Sequence, residues 1–261
     1  MFDAQWTGIP IFTRRLAQAL LRHEKIDVDF VHNLTTIPTA KVISAIQMGT
    51  GIFLQDDFQK NSYAGLDGYG IVSLDSVILF PSVKESFQVC AREASIVHDL
   101  GTLFMPENAE DVTVKHHMKN MVRELISNDM TFCVSEATRA ALVSAYPSVA
   151  PKTEVIYQYV DWPEEFEAIE RNLPVPELGR YAVVVGTLEP RKNLGLILKA
   201  LSTPQVQKSG LKFVVIGKKG WKIDQFLEEV TDDQRKRIVF TGFVSEFVKY
   251  RLLRHAEFMV Y

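Results

Sequence analysis

Val185-Gly186-Thr187-Leu188-Glu189-Pro190-Arg191-Lys192-Asn193 is the stretch on which the reading of this chain turns. The run Tyr181–Val185 that leads into it has the length and β-branched content of a buried strand. The strand ends at Gly186, a short loop follows, and a helix is expected over 193–201 with Asn193 as its N-cap. Arg191 and Lys192 would then flank a helix N-terminus, where backbone N–H groups favour an anion. A diphosphate leaving group needs such a setting, because its negative charge grows as the bond to it breaks. Taken alone, the Arg-Lys pair reads first as a solvated basic turn.

Outward from this stretch the chain alternates strands with amphipathic helices. Downstream, strands are expected over 212–216, 237–240 and 258–261, with helices over 222–230 and 245–255 between them. Upstream, Phe12, Leu16 and Leu20 repeat at helical spacing after Pro10, and Ile26, Val28 and Phe30 alternate as a half-buried strand would. Short apolar runs at 77–80, 95–97, 131–134 and 154–157 predict further strands. Val114, Met118, Val122 and Leu125 predict a long helix between two of them, and 136–146 predicts another. Residues 161–179 carry Pro163, Pro174, Pro176 and several acidic residues, a linker composition. Strands separated by helices of this length favour right-handed crossovers and parallel sheets. The expected architecture is therefore α/β, with two Rossmann-like parallel-sheet domains, 1–165 and 166–261. They would face a cleft, with ligands beyond the carboxyl ends of the strands.

Composition narrows the classes. Hydrophobic residues make up 47% and charged residues 23%, enough for a real core. A net charge of −3 gives no global basic field for nucleic acid. Cys90 and Cys133 are too few and too far apart for a disulfide framework or a zinc site, and read as reduced thiols of a cytoplasmic protein. The start Met1-Phe2-Asp3 lacks the order of a signal peptide, and no apolar run is long enough to span a bilayer. Any membrane association would be peripheral, at the inner membrane. No G-x-G-x-x-G follows a strand, which disfavours a dinucleotide enzyme.

The chain resembles the group 1 (family 4) glycosyltransferases of the GT-B fold, on motifs that run in order through both blocks. The segment from Gly186 to Asn193 looks like their donor-phosphate segment, and Phe213-Val214-Val215-Ile216-Gly217 like the next strand with its terminal glycine. Val239-Phe240-Thr241-Gly242-Phe243-Val244 is similar to the segment near the nucleotide base. In the first half, Thr7-Gly8-Ile9-Pro10 resembles the family's N-terminal glycine loop. Val97-His98-Asp99-Leu100 and Val134-Ser135-Glu136-Ala137-Thr138 resemble two later landmarks.

The resemblance implies a retaining, metal-independent transfer of a hexose-type sugar from a nucleotide-diphosphate sugar to a glycan or lipid-linked acceptor. It implies that Arg191 and Lys192 neutralise the diphosphate and that His98 faces the transferred sugar. Backbone at Gly8 and Gly186 would approach the donor, and Gly217, Phe243 and Val244 would help form the nucleoside pocket. No cofactor is implied beyond the donor itself. The family's spaced glutamate pair would lie after Tyr261, so the second sheet is expected to be incomplete and residues 1–261 inactive by themselves. That gap leaves a non-catalytic, glycosyltransferase-like binding module as the alternative.

Other candidates read as decoys. Asp27 and Asp29 have an Asp-x-Asp form used for metals elsewhere, but flank an alternating strand and are expected on a solvated face. Glu85 and Glu93 have the family's glutamate spacing in the wrong half and are taken as one helix face. His116 and His117 are expected at the surface, pointing apart on a helix. His98 alone would be a structural histidine; its place at a strand end keeps the catalytic reading open. Lys218, Lys219 and Trp221 form a basic run that suits either phosphate or solvent, and Trp6 is expected to pack.

Overall fold

The computed structural model describes residues 8–32, 35–51, 54, 76–84, 87–220 and 223–261. Trp6, Thr7, Glu85 and Trp221 lie outside them. The chain forms two compact units, 1–158 and 159–261.

The first unit opens with α1 (Ile9–Leu21), which carries Pro10 in its first turn and Gly8 at its N-cap. A small antiparallel hairpin follows, β1 (Phe30–His32) with β2 (Thr35–Ile37), and then α2 (Thr39–Met48). The strand predicted from Ile26 begins only at Phe30, because β2 offers three residues of ladder and no partner for those before. Asp27 and Asp29 are exposed, as expected. The main sheet is parallel in the order β3-β4-β5-β6, with β3 Val77–Phe80, β4 Arg92–Val97, β5 Met130–Cys133 and β6 Thr153–Val155. Its crossovers use α3 (Asp111–Ser127) and α4 (Glu136–Ala145). Val97, Leu100, Met121, Leu125, Cys133 and Leu142 form the apolar core beneath them.

Two expectations fail here. The inward face of α3 is Asn120, Met121, Glu124 and Leu125, while Met118 and Val122 point to solvent. Buried partners hold the polar residues of this inward face. Glu93 is not on a helix at all: it lies on β4, 1% exposed, in an ion pair of 2.5 Å with Lys84, itself 2% exposed. Glu124 accepts from the Lys84 amide at 3.2 Å and from the Ser95 hydroxyl. Asn128 donates to Ser95 Oγ at 2.8 Å and to Thr131 Oγ1 at 3.0 Å. This polar seam ties the loop after β3 to the far end of α3. The expectation for His117 also fails: it is half-buried, 2.8 Å from Thr102 Oγ1, and burial first and then His116 lower its pKa.

The second unit is also a parallel sheet, in the order β10-β7-β8-β9. Its strands are β7 Tyr181–Val185, β8 Lys212–Ile216, β9 Ile238–Gly242 and β10 Phe258–Val260. Near-continuous apolar β7 and β8 are buried on both faces, as parallel strands covered by helices must be. Ala182, Val184, Phe213 and Val215 meet α6 (Gly195–Leu201), while Tyr181, Val183, Val214 and Ile216 face the other way, toward Leu252. Residues 161–179 are more than a linker. They contain α5 (Glu164–Glu170), whose buried Glu170 accepts from Arg251 Nε and pairs with His255 Nε2 at 2.7 Å. Trp162 and Phe166 pack with Tyr250 on α7 (Glu246–Arg254). Trp162, counted by composition with the first domain, thus packs against a helix of the second unit.

The seam predicts opposite pH responses. Burial alone would raise the Glu93 carboxyl, but the bonds from Lys84 and the Val89 amide outweigh it and leave the pKa lowered. Its stabilising contribution is present above the unfolded pKa and lost as pH falls through the folded one. For Glu124, burial outweighs the bonds from Ser95 and the Lys84 amide, so the pKa is raised above 4.5. That contribution is present below the unfolded value and lost as pH rises through the folded one. Glu124→Gln is therefore expected to gain stability relative to wild type as pH rises from 4.5 upward, in urea melts run across pH; parallel curves would refute it. Lys84→Met, which strands Glu93, is expected to cost about 3–5 kcal/mol.

Candidate functional site

In the second unit the carboxyl ends of three adjacent strands all finish in glycine: Gly186 after β7, Gly217 after β8 and Gly242 in β9. The loops leaving β7 and β8 run against each other. The Gly186 amide donates to Ile216 O at 2.9 Å, Leu188 N to Lys218 O at 3.0 Å, and Gly220 N to Leu188 O at 3.0 Å. A Cβ on Gly217 would fall 1.9 Å from the Gly186 carbonyl oxygen, so no other residue fits there. Gly217 also has φ 152°, a region that disfavours side chains.

Lys192 lies across this edge. A Cβ on Gly186 would sit 3.2 Å from Lys192 Cε, so the missing side chain makes room for the lysine stem. The ammonium rests 4.2 Å from the centre of the Tyr261 ring, a cation–π contact with a side chain that is itself 92% exposed. The backbone here differs from expectation. Residues 190–192 form a 3-10 turn, Asn193 is left-handed with φ 47°, and α6 begins only at Gly195. Asn193 is therefore not a helix N-cap. The amides of Lys192, Asn193, Leu196 and Ile197 are satisfied by carbonyls three residues back, so the turn closes on itself. Any cationic character here comes from side chains more than from a helix end. Arg191 is placed in the same turn, its side chain outside the described set. Beyond β9, Phe243 is 44% exposed, whereas Val244 packs half-buried against the Tyr181–Leu252 side of the core.

In the first unit His98 follows β4 at its carboxyl end, half-buried. Its Nε2 is 2.8 Å from the Pro81 carbonyl, which can only accept, so Nε2 carries a proton. Nδ1 faces the Gln158 side-chain amide at 3.0 Å, and Phe12 of α1 meets the ring edge-on at 4.9 Å. Phe12 N donates to Gly8 O, so the glycine loop stands one turn from the ring. Thr138 Oγ1 donates to the His98 carbonyl at 3.3 Å, and Ser135 caps α4 through the Thr138 amide. The Thr138 landmark thus holds the His98 backbone, while the helix that follows Gly8 packs Phe12 on its ring. Asp99 does not join them: its carboxylate accepts from the Gly101 amide. Gln158, Pro81 and Phe12 carried no motif signal, since their role exists only once strands far apart in sequence are side by side.

Among the described residues no cluster of three or more His, Cys, Asp or Glu could hold a metal ion. Cys90 and Cys133 are free and buried, and burial pushes the Cys133 thiol up to about 11, which keeps it an unreactive thiol.

Two parallel-sheet units of this kind are the architecture of the GT-B glycosyltransferases. WaaG, a glycosyltransferase involved in lipopolysaccharide biosynthesis, superposes with a TM-score of 0.50 at 11% identity, over 99% of this chain and 72% of that one. A mutant of S. aureus TarM, in complex with fondaparinux, alpha-GlcNAc-glycerol and UDP, gives 0.50 at 11% identity, over 72% of this chain and 36% of that one. Residues 179–261, within the second unit, match the family of group 1 glycosyl transferases. O-antigen chain mannosyltransferase B of Escherichia coli is 25% identical over 163 residues, 59% of this chain and 42% of that protein. The chain thus spans under half the length of this curated relative.

The glycine edge predicts a graded response to methyl groups. Gly217→Ala pushes backbone against backbone and is expected to destabilise by about 3 kcal/mol or more. Gly186→Ala meets only the flexible Lys192 stem. It is expected to cost roughly 1–3 kcal/mol, from its φ of 142°. Urea unfolding of both variants checks the order; equal losses would contradict it.

Proposed function

We propose that the protein transfers a hexose-type sugar, with retention and without a metal, from a nucleotide-diphosphate sugar to a glycan or lipid-linked acceptor. The observation that carries this reading is Lys192 laid across Gly186 at the glycine-ended edge of the family-matched sheet. An ammonium held there by its stem, with its head over an exposed aromatic ring, can exchange that ring for phosphate oxygens. Arg191, in the same turn, supplies the second cation. Gly186 and Gly217 let the donor approach backbone directly, and exposed Phe243 offers a face for the nucleoside, with Val244 behind it.

In the first unit, His98 and the Gly8 loop are the groups proposed to meet the transferred sugar. Both His98 nitrogens are already bonded, which orients the ring without a ligand. The bound UDP of TarM and the acceptor-processing roles of WaaG and the mannosyltransferase belong to those proteins; they support the same substrate classes here.

The test uses the full-length protein and a panel of nucleotide-diphosphate sugars, with the donor identified by the rise it gives in melting temperature. Arg191→Ala and Lys192→Ala are each expected to weaken that donor about 10- to 100-fold by calorimetry. His98→Ala is expected to lower kcat at least about 100-fold with a smaller change in donor affinity. EDTA should leave the rate unchanged. Unaltered affinity and transfer in both cation variants would remove the diphosphate role.

A further inference from the structure

The Gln158 amide and the His98 ring lie sixty positions apart in the chain, on strands that do not touch. β5 separates β4 from β6, so those two backbones run roughly 9–10 Å apart. At the carboxyl edge the sheet is still in register, with Val97, Cys133 and Val155 side by side. One residue further, Val134 N donates to Val97 O at 3.3 Å and Ile156 N to Cys133 O at 2.9 Å. Ser135 then caps α4 and takes the middle chain out of the sheet. The chain leaving β6 continues for two residues, and the Gln158 side chain crosses past the end of β5 to reach Nδ1 at 3.0 Å. None of the groups that meet the ring here carries a charge: the Pro81 carbonyl, the Gln158 amide and the Phe12 ring. A neutral imidazole that donates through Nε2 must accept through Nδ1, so the amide presents its NH2 to it.

From this span we propose that Gln158 is a positioning residue of the transfer site, holding the His98 ring neutral and in one orientation. The role rests on the reading of His98 given above. A ring pinned at one nitrogen can pivot about that bond; pinned at both, it cannot. The Pro81 carbonyl supplies the first bond and Gln158 the second. Two properties of glutamine are needed, its length and its donor. Asparagine is a methylene shorter, roughly 1.5 Å, and falls short of the ring from the same backbone. Glutamate has the length but only acceptors, so facing Nδ1 it is satisfied only by a second proton on the ring. It would therefore favour the imidazolium, the opposite of what the amide does. Leucine fills similar space and leaves Nδ1 to water. Gln158 is exposed, so none of these changes disturbs a core.

Two readouts on the full-length protein test this role. Imidazole nitrogen NMR needs no donor sugar, and the His98 signals are assigned by their loss in His98→Ala. Wild type is expected to show a protonated Nε2 and a bare Nδ1 at neutral pH. Gln158→Glu should bring a proton onto Nδ1 at the same pH. In transfer assays, Gln158→Leu and Gln158→Asn are each expected to lower kcat about tenfold, with the donor KM within about twofold of wild type. Thermal melts of all three variants should overlay the wild type and show that the fold is intact. A Gln158→Glu spectrum identical to wild type would overturn the role, as would wild-type kcat in both the Leu and Asn variants. His98→Ala keeps the two readings apart. If it transfers at full rate, the reading of His98 fails and this one with it; if it is slow, either result above removes Gln158 alone.

Discussion

The second unit depends on one steric fact: the carbonyl of Gly186 occupies the space where a side chain on residue 217 would be. Because both residues lack a Cβ, the turns leaving β7 and β8 close to within hydrogen-bonding distance and continue the ladder past the strands, with Leu188 and Lys219 still bridged. That closure sets the height of the sheet's carboxyl edge, and Lys192 can then lie flat on it. A bulkier pair would splay the loops and lift the lysine away. Packing below the edge is generic, an apolar sheet between helices; the edge itself is specific.

The first unit is organised around a different constraint. Its central strand β4 carries Glu93 and Ser95 fully buried, which is costly unless every lone pair finds a donor. The Lys84 ammonium and the Val89 amide supply donors to Glu93, and Asn128 supplies one to Ser95. Asn128 Oδ1 is left without a partner among the described residues. Such a seam contributes little net stability over an apolar core, but it accepts only one register of loop against helix. The loop it pins is the one that delivers the Pro81 carbonyl to His98.

Much of the architecture was legible because parallel strands leave a strong signature. The apolar runs at 77–80, 181–185 and 212–216 became strands with the same bounds, and their alternation with helices gave the parallel order. What failed was whatever depends on a partner distant in sequence. Periodicity marked the helix through Val114, Met118, Val122 and Leu125 but not its buried Asn120 and Glu124, the latter held by Ser95 and the Lys84 amide. Proline content marked 161–179 as a linker, although Glu170 is anchored by Arg251 and His255. At the site, Gly186, Gly217, Lys192 and His98 were visible as motif positions. Gln158, Phe12 and Tyr261 were not, since nothing about an isolated glutamine or aromatic residue announces its neighbour. Asn193 looked like a cap from its chemistry, yet its left-handed backbone ends one turn instead of opening the next.

The bonding of His98 has an energetic corollary. An imidazole with an idle nitrogen would be an indiscriminate acceptor, open to any water or hydroxyl that drifted in. Here an arriving group can reach Nδ1 only by displacing the Gln158 amide, giving back nearly as much as it gains. The trade is close to neutral for an ordinary hydroxyl and profitable only for one held in place by other contacts. An arrangement of this kind filters its visitors by how well the rest of them fits.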